Sequence, residues 1–169
     1  LERDASPQLR ARVDDVHASF LESAGQWDQA AKIHQQTALD KQRAPAMRAR
    51  SALNAVRLYQ QADKFELARE ILREVEADSD LKELHATSYC LQGELELVSS
   101  GNPSAAQGFF KKAISASNSD ALSARALFGV GRCLMAAGNA QGAHEAFFKV
   151  LEFGGTSNWL ARVRYSDAL

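Results

Sequence analysis

The stretch GNAQGA at residues 138–143 decides the fold, because three related stretches precede it at nearly constant distance. These are GQWDQA at residues 25–30, DKFELA at 63–68 and GNPSAA at 101–106. Their last alanines are spaced by 38, 38 and 37 residues, at Ala30, Ala68, Ala106 and Ala143. A fixed period of this length indicates stacked units of two or three secondary-structure elements. Such arrays usually present a binding surface, so the period also argues against catalysis.

Each unit is predicted to consist of two helices joined by a tight turn. In the fourth unit the helices should span residues 120–137 and 140–152, with a turn at Gly138. The first helix carries an apolar stripe at i, i+3, i+4 and i+7, and the second helix carries another. These stripes are formed by Leu127, Val130, Gly131 and Leu134, and by Ala143, Phe147 and Val150.

The predicted fold class is all-α, an α–α superhelix built as a solenoid of antiparallel helix pairs. The repeats are expected at residues 7–43, 45–79, 80–118 and 119–156, within a single domain of residues 1–169. Residues 157–169 are expected to form a partial or capping helix. Because the chain begins at Leu1 and ends in an unfinished unit, we expect it to be part of a longer protein.

The pattern resembles that of the tetratricopeptide repeat family over residues 9–169. The best matches lie in the fourth repeat, in the residues named above, and in the second repeat. The latter are Ala52, Ala55, Val56, Tyr59, Asp63, Phe65, Ala68, Leu72 and Val75. The resemblance implies an interaction module whose first helices line a concave groove for a partner.

The chain departs from that family in its period. Tetratricopeptide repeats are about 34 residues long, so each unit here is expected to carry an extra helical turn or a longer loop. Repeats one and three fit the pattern only if the turn between their helices is one residue longer. Repeat one also has His34 and Thr37 where the family has a bulky apolar and a small residue.

Composition excludes several classes of function. The formal net charge of −1 argues against a nucleic-acid partner. No apolar run approaches the ~18 residues of a membrane-spanning helix, so we expect no membrane insertion. The two cysteines and four histidines lack metal-ligand spacing, and no nucleophile–base pair is evident. The chain is therefore predicted to bind no cofactor or metal and to be no enzyme.

Arginines alternate with apolar residues on the first helices of two repeats. The two sets have the same spacing of three and four residues, which places each on one helical face. In tetratricopeptide proteins this face commonly holds the ligand. The candidate partner-binding residues are Arg50, Leu53, Asn54, Arg57, Arg125, Phe128, Arg132 and Arg162.

Two interpretations of these arginines are open. They could bind the carboxylates of a protein or peptide partner, because guanidinium groups bind carboxylates in a bidentate way. Alternatively, they could pair with acids on adjacent helices, such as Asp15, Glu22 and Glu94, or remain in solvent.

The leading hypothesis is a non-enzymatic scaffold or adaptor that binds a partner protein or peptide in the concave groove. The alternatives are a regulatory or sensor domain of a larger protein and a self-assembling scaffold. The compartment would be cytoplasmic, or periplasmic if a preceding segment carries a signal or anchor.

The packing pattern generates a stability prediction. Ala143 should lie where the two helices of repeat four approach closely, so Ala143→Leu should overpack them and cost about 1–3 kcal/mol of unfolding free energy. Thermal unfolding followed by circular dichroism measures this cost. A melting temperature equal to that of the wild type would contradict the predicted helix register.

Overall fold

The computed structural model describes residues 7–153, apart from the side chains of Pro7, Gln8, Arg10, Ala11 and Glu152. Eight α-helices account for most of this range. They are α1 (Pro7–Ser23), α2 (Trp27–Leu39), α3 (Pro45–Gln61), α4 (Phe65–Ala77), α5 (His85–Leu95), α6 (Pro103–Ala116), α7 (Asp120–Ala136) and α8 (Ala140–Glu152). A 3₁₀ helix at Ser79–Leu84 precedes α5, and a π-helical segment at Glu96–Ser100 follows it. No strand occurs between residues 7 and 153.

Within each of two units, consecutive helices pack against each other in antiparallel pairs, as in an α–α superhelix. The predicted fold class is therefore confirmed, and the helices expected at 120–137 and 140–152 are α7 and α8. The chain divides into two compact units, residues 1–82 with α1 to α4 and residues 83–169 with α5 to α8. The expected helix at 157–169 lies outside the described residues.

Each pair turns at a residue with left-handed backbone. The φ angle is +72° at Gly25, +55° at Asp63, +58° at Gly101 and +76° at Gly138. These four residues open the four related sequence stretches. After Gly138, the Asn139 amide donates to the Leu134 carbonyl oxygen at 2.9 Å, which satisfies a carbonyl at the end of α7. The turn motif recognised in the sequence is thus a helix-ending motif.

Repeat one contradicts the expectation of a longer turn. The Gln26 amide donates to the Leu21 carbonyl oxygen at 2.8 Å, as the Lys64 amide does to Tyr59 in repeat two. Helices α1 and α3 are also both 17 residues long, so the two repeats share one register.

Repeat three does contain an additional residue, but not in the turn. The additional residue lies in the π-helical segment before Gly101, where the Asn102 amide reaches back six residues to the Glu96 carbonyl oxygen at 3.4 Å. A π-helical turn accommodates one inserted residue without breaking the helix. The helix therefore absorbs the insertion, and the turn at Gly101 is left-handed like the others.

The core of the second unit is built from aromatic rings against glycines. An added Cβ at Gly131 would lie 2.3 Å from the Phe147 ring, and one at Gly129 would lie 2.5 Å from the Phe110 ring. Side chains at either glycine would collide with these rings, so glycine permits the close helix approach. Ala143 is buried beside Phe147, where the overpacking prediction places it.

The core of the first unit uses smaller and more polar side chains. His34 and Thr37 of α2 are buried among alanines. Burial lowers the pKa of His34, although Glu22 at 3.7 Å opposes this shift, so burial favours the neutral imidazole. His17 of α1, by contrast, is exposed.

Candidate functional site

The candidate residues of repeat two form one face of α3 in the first unit. Arg50 and Arg57 are exposed, whereas Leu53 and Asn54 between them are half-buried. We call this set the α3 strip. The spacing of three, four and seven residues puts all four side chains on the same side of the helix, as the sequence predicts.

Both arginines of the α3 strip pair with acids of α1. An Arg50 guanidinium nitrogen lies 2.8 Å from Asp15 Oδ2, and an Arg57 nitrogen lies 2.8 Å from Glu22 Oε2. The two acids are seven residues apart on α1, as the two arginines are on α3. The pairs therefore repeat after two helical turns along the α1–α3 contact.

The candidate residues of repeat four form the α7 strip, which consists of Arg125, Phe128 and Arg132. Arg125 donates from Nε and from a terminal nitrogen to the two carboxylate oxygens of Glu94, each at 2.7 Å. This bidentate hydrogen bonding raises the pKa of Arg125. Because both side chains are half-buried, the pair is less screened by solvent than those of the α3 strip.

Arg132 differs from the other described candidate arginines in its ion pairing. Its side chain is exposed, and it forms no ion pair with any side chain that the structure describes. Arg57, which lies six residues before its turn residue as Arg132 does, pairs with Glu22, three residues before Gly25. The residues three and four before Gly101 are Val98 and Leu97, which carry no charge. Repeat three therefore offers Arg132 no acid at the position of Glu22.

Phe128 has two environments. Its ring centroid lies 5.4 Å from that of Phe147, so one side of the ring belongs to the α7–α8 core. The side chain is only half-buried, and Met135 is exposed one turn beyond Arg132 on the same helix. The α7 strip therefore combines apolar surface with an available guanidinium group. Arg162 lies outside the described residues.

Three of the candidate arginines thus pair with acids of other helices, as the second interpretation of the sequence expects. Asp15, Glu22 and Glu94, the acids suggested by the sequence, are the acids that pair with Arg50, Arg57 and Arg125. Partner binding by the two strips stays a prediction.

A buried arginine escaped the sequence analysis. The Arg48 side chain is 2% exposed, and that of its partner Asp78 is 6% exposed. Arg48 Nε donates to the Ala38 carbonyl oxygen at 3.0 Å, and a terminal nitrogen donates to Asp78. Lys41 also donates to Asp78. The one available signal was position, since Arg48 precedes Ala52 by four residues on the apolar stripe of α3.

This cluster ties together the ends of three elements. Ala38 is in the last turn of α2, Arg48 is in the first turn of α3, and Asp78 ends α4. It lies beside a cavity of about 260 Å³ that Ile71 and Leu81 also line. Because Arg48 is directed at a carbonyl and a carboxylate of its own unit, the arrangement fits a structural clamp better than a ligand site.

The comparisons with known proteins bear on the fold. No family model matches the chain, and no curated protein sequence does. The structure is similar to the crystal structure of BtubC (BKLC) from P. vanneervenii, with a TM-score of 0.68 and 19% sequence identity. The match covers 89% of this chain and 65% of that chain, so the chain spans about 65% of the length of that protein. At this identity the likeness shows the shared helical fold alone.

Among residues 7–153 no group of three or more His, Cys, Asp or Glu side chains could hold a metal ion. In the same range no helix has both the length and the apolar character needed to cross a membrane.

The buried pair generates a stability prediction. Asp78→Ala would leave the Arg48 guanidinium buried without its carboxylate, so the free energy of unfolding should fall by about 3–5 kcal/mol. Urea unfolding of the variant measures this loss. Glu70→Gln, an exposed acid of α4, is the matched control and should change stability by less than about 0.5 kcal/mol. Equal stability of Asp78→Ala and the control would contradict the buried pair.

The same carboxylate predicts a pH dependence. Hydrogen bonding from Lys41, with a further contribution from Arg48, lowers the pKa of Asp78 from 3.8 to about 2 in the folded chain. Its contribution to stability is complete above the unfolded pKa and is lost as the pH falls through the folded pKa. Between about pH 4 and pH 2, Asp78→Asn should therefore lose stability less steeply than the wild type. Parallel curves in acid titrations of unfolding would refute this assignment.

Proposed function

We propose that the chain is a non-enzymatic protein-interaction module of the tetratricopeptide repeat type, which binds an acidic segment of a partner protein on the α7 strip. The observation that carries this proposal is Arg132, an exposed guanidinium without an ion-pair partner among the described side chains. It lies four residues after Phe128, whose side chain is half-buried. A partner segment with a carboxylate beside an apolar residue would complement both groups.

The chemistry of the strip favours a carboxylate ligand. A guanidinium presents planar donors that match the two oxygens of a carboxylate, and such charge-assisted hydrogen bonds are stronger than neutral ones. Phe128 and Met135 add apolar contact area on either side of Arg132. Arg125 is held by Glu94, so it contributes a fixed edge to the strip and a smaller share of the binding energy.

The α3 strip supports a secondary role. Exposed ion pairs typically contribute about 0–1 kcal/mol, so a partner carboxylate could replace Asp15 or Glu22 at small cost. Arg50 and Arg57 are then a second set of donors in the first unit. Their contribution should be weaker than that of Arg132, because binding there must first break an existing pair.

Two observations support the repeat type and the absence of catalysis. Left-handed turns recur at the same point of all four repeats, followed nine residues later by a buried side chain, at His34, Leu72, Phe110 and Phe147. Both cysteines are buried, and desolvation raises the pKa of Cys90 to about 12. A thiol with such a pKa is a poor nucleophile at neutral pH.

The proposal predicts the effect of a charge reversal. Arg132→Glu should reduce partner binding at least about tenfold, because losing a charge-assisted pair and adding repulsion exceeds the 1.4 kcal/mol of one decade. Lys111→Glu, an exposed reversal on α6, is the matched control and should bind like the wild type. Both variants should melt at the wild-type temperature.

The measurement has two stages. Partners are first captured from native lysate by the wild type and the control and identified by mass spectrometry. Their affinities for all three chains are then measured by isothermal titration calorimetry. Rescue of Arg132→Glu by an Asp→Lys or Glu→Lys change in the partner would assign the contact. Equal affinity of Arg132→Glu and Lys111→Glu for the captured partner would overturn the proposed site.

A further inference from the structure

Helix α1 exposes a continuous apolar stripe. Leu9, Val13, Val16 and Phe20 are 51%, 59%, 71% and 68% exposed. Their spacing of four, three and four residues is that of the a and d positions of a heptad, which places them along one line of the helix. We call these four residues the α1 stripe.

The α1 stripe is separate from the face that α1 uses within its own unit. Ala18 and Leu21 are buried and belong to the core that α1 shares with α2. The helix thus has two apolar faces, one packed and one exposed. Single exposed apolar side chains are ordinary, but a contiguous line of large ones on one helix marks a binding surface.

The equivalent face is buried or half-buried on both other 17-residue first helices, and two of its four positions are fully buried on both. With the left-handed turn residues aligned, Val13 and Phe20 correspond to Ser51 and Leu58 of α3. In α7 they correspond to Ala126 and Cys133. These four side chains are at most 2% exposed.

In the second unit, the element that buries this face is a helix. Ala126 and Cys133 of α7 share a core cluster with Phe110 of α6. Gly129, which corresponds to Val16, lies against the Phe110 ring. The fold therefore covers this face of a first helix with an antiparallel helix, so the shape that fits the α1 stripe is another helix.

The charges beside the α1 stripe indicate which charges a helix bound to it should carry. Arg12 and His17 flank it, and both are exposed. Among the side chains that the structure describes, none makes an ion pair or hydrogen bond with Arg12. The neighbouring acids, Asp14 and Asp15, are already paired with Arg43 and Arg50. A second copy of α1 would bring one basic flank against another, whereas acidic side chains would complement it.

We propose that the α1 stripe binds an amphipathic α-helix of a partner protein, with apolar residues at heptad a and d spacing and acidic residues on its flanks. This interaction is independent of the α7 strip. It uses the helix-in-groove mode, in which apolar side chains supply affinity and the flanking charges select the partner.

The test uses two synthetic helical peptides of three heptads with the same leucine stripe. One carries Glu at the flanking positions, and the other carries Lys there. Binding to the 169-residue chain is measured by fluorescence anisotropy. The Glu peptide should bind at least about tenfold more tightly than the Lys peptide, and Arg12→Glu should abolish or reverse this preference.

Substitutions in the chain locate the contact. Val16→Glu and Phe20→Glu should each weaken Glu-peptide binding at least about tenfold, because each buries a charge in an apolar contact. Phe148→Glu changes a 58% exposed phenylalanine of α8 and should bind like the wild type. Circular dichroism checks that each variant is folded. Arg132→Glu should also bind the peptide normally, which separates this surface from the proposed α7 site.

Several results would overturn the proposal. Peptide affinities unaffected by both Val16→Glu and Phe20→Glu would exclude the stripe as the contact. A dimer in sedimentation velocity that Phe20→Glu dissociates would assign the stripe to a second copy. Phe20-dependent binding to vesicles of phosphatidylcholine and phosphatidylserine, without peptide binding, would assign it to a membrane surface.

Discussion

The structure depends on one backbone conformation, the left-handed residue that ends each first helix. It reverses the chain within three residues, so the second helix returns antiparallel at a fixed offset. Counting nine residues from it reaches the side chain that fills the space between the paired helices. Glycine adopts this conformation without strain, and Asp63 shows that one short polar side chain also does.

The size of the filling side chain is matched by the residue opposite to it. In the second unit Phe110 and Phe147 are accommodated by Gly93 and Gly131, where any Cβ would collide with the ring. In repeat one, His34 takes the position of the phenylalanine and Ala18 takes that of the glycine, and both residues are buried. Close packing tolerates neither voids nor overlap. A larger side chain on the second helix is therefore matched by a smaller one on the first helix, and the helix geometry is kept. Repeat one is therefore a polar variant of the same pair and not a degraded one.

The repeat also organises the surface. Acids and arginines recur at seven-residue intervals on successive first helices of the first unit, so their side chains pair without any further adjustment of the backbone. In the second unit, Val98 and Leu97 stand three and four residues before the turn glycine, where the first unit has Glu22, and Arg132 is exposed. The α1 stripe arises in a similar way, because the positions that neighbouring helices bury fully or partly on α3 and α7 are exposed on α1.

The sequence by itself determined the helix pairs, the residues at which they turn, their period and the side of α3 and α7 on which the arginines lie. These properties depend on local backbone preference and on 3.6-residue periodicity, and both can be obtained from residue types and spacing. It also supplied the acids that hold Arg50, Arg57 and Arg125, but without a means of choosing between pairing and partner binding. Only the tertiary structure decided that Arg132, unlike these three arginines, forms no ion pair with a described side chain. It also decided that an inserted residue enters a π-helical turn and that Arg48 is buried against Asp78. The ion pairs depend on distances between side chains that are about 30 residues apart, and the π-helical turn depends on how a helix absorbs one inserted residue. Local residue types and spacing encode neither property.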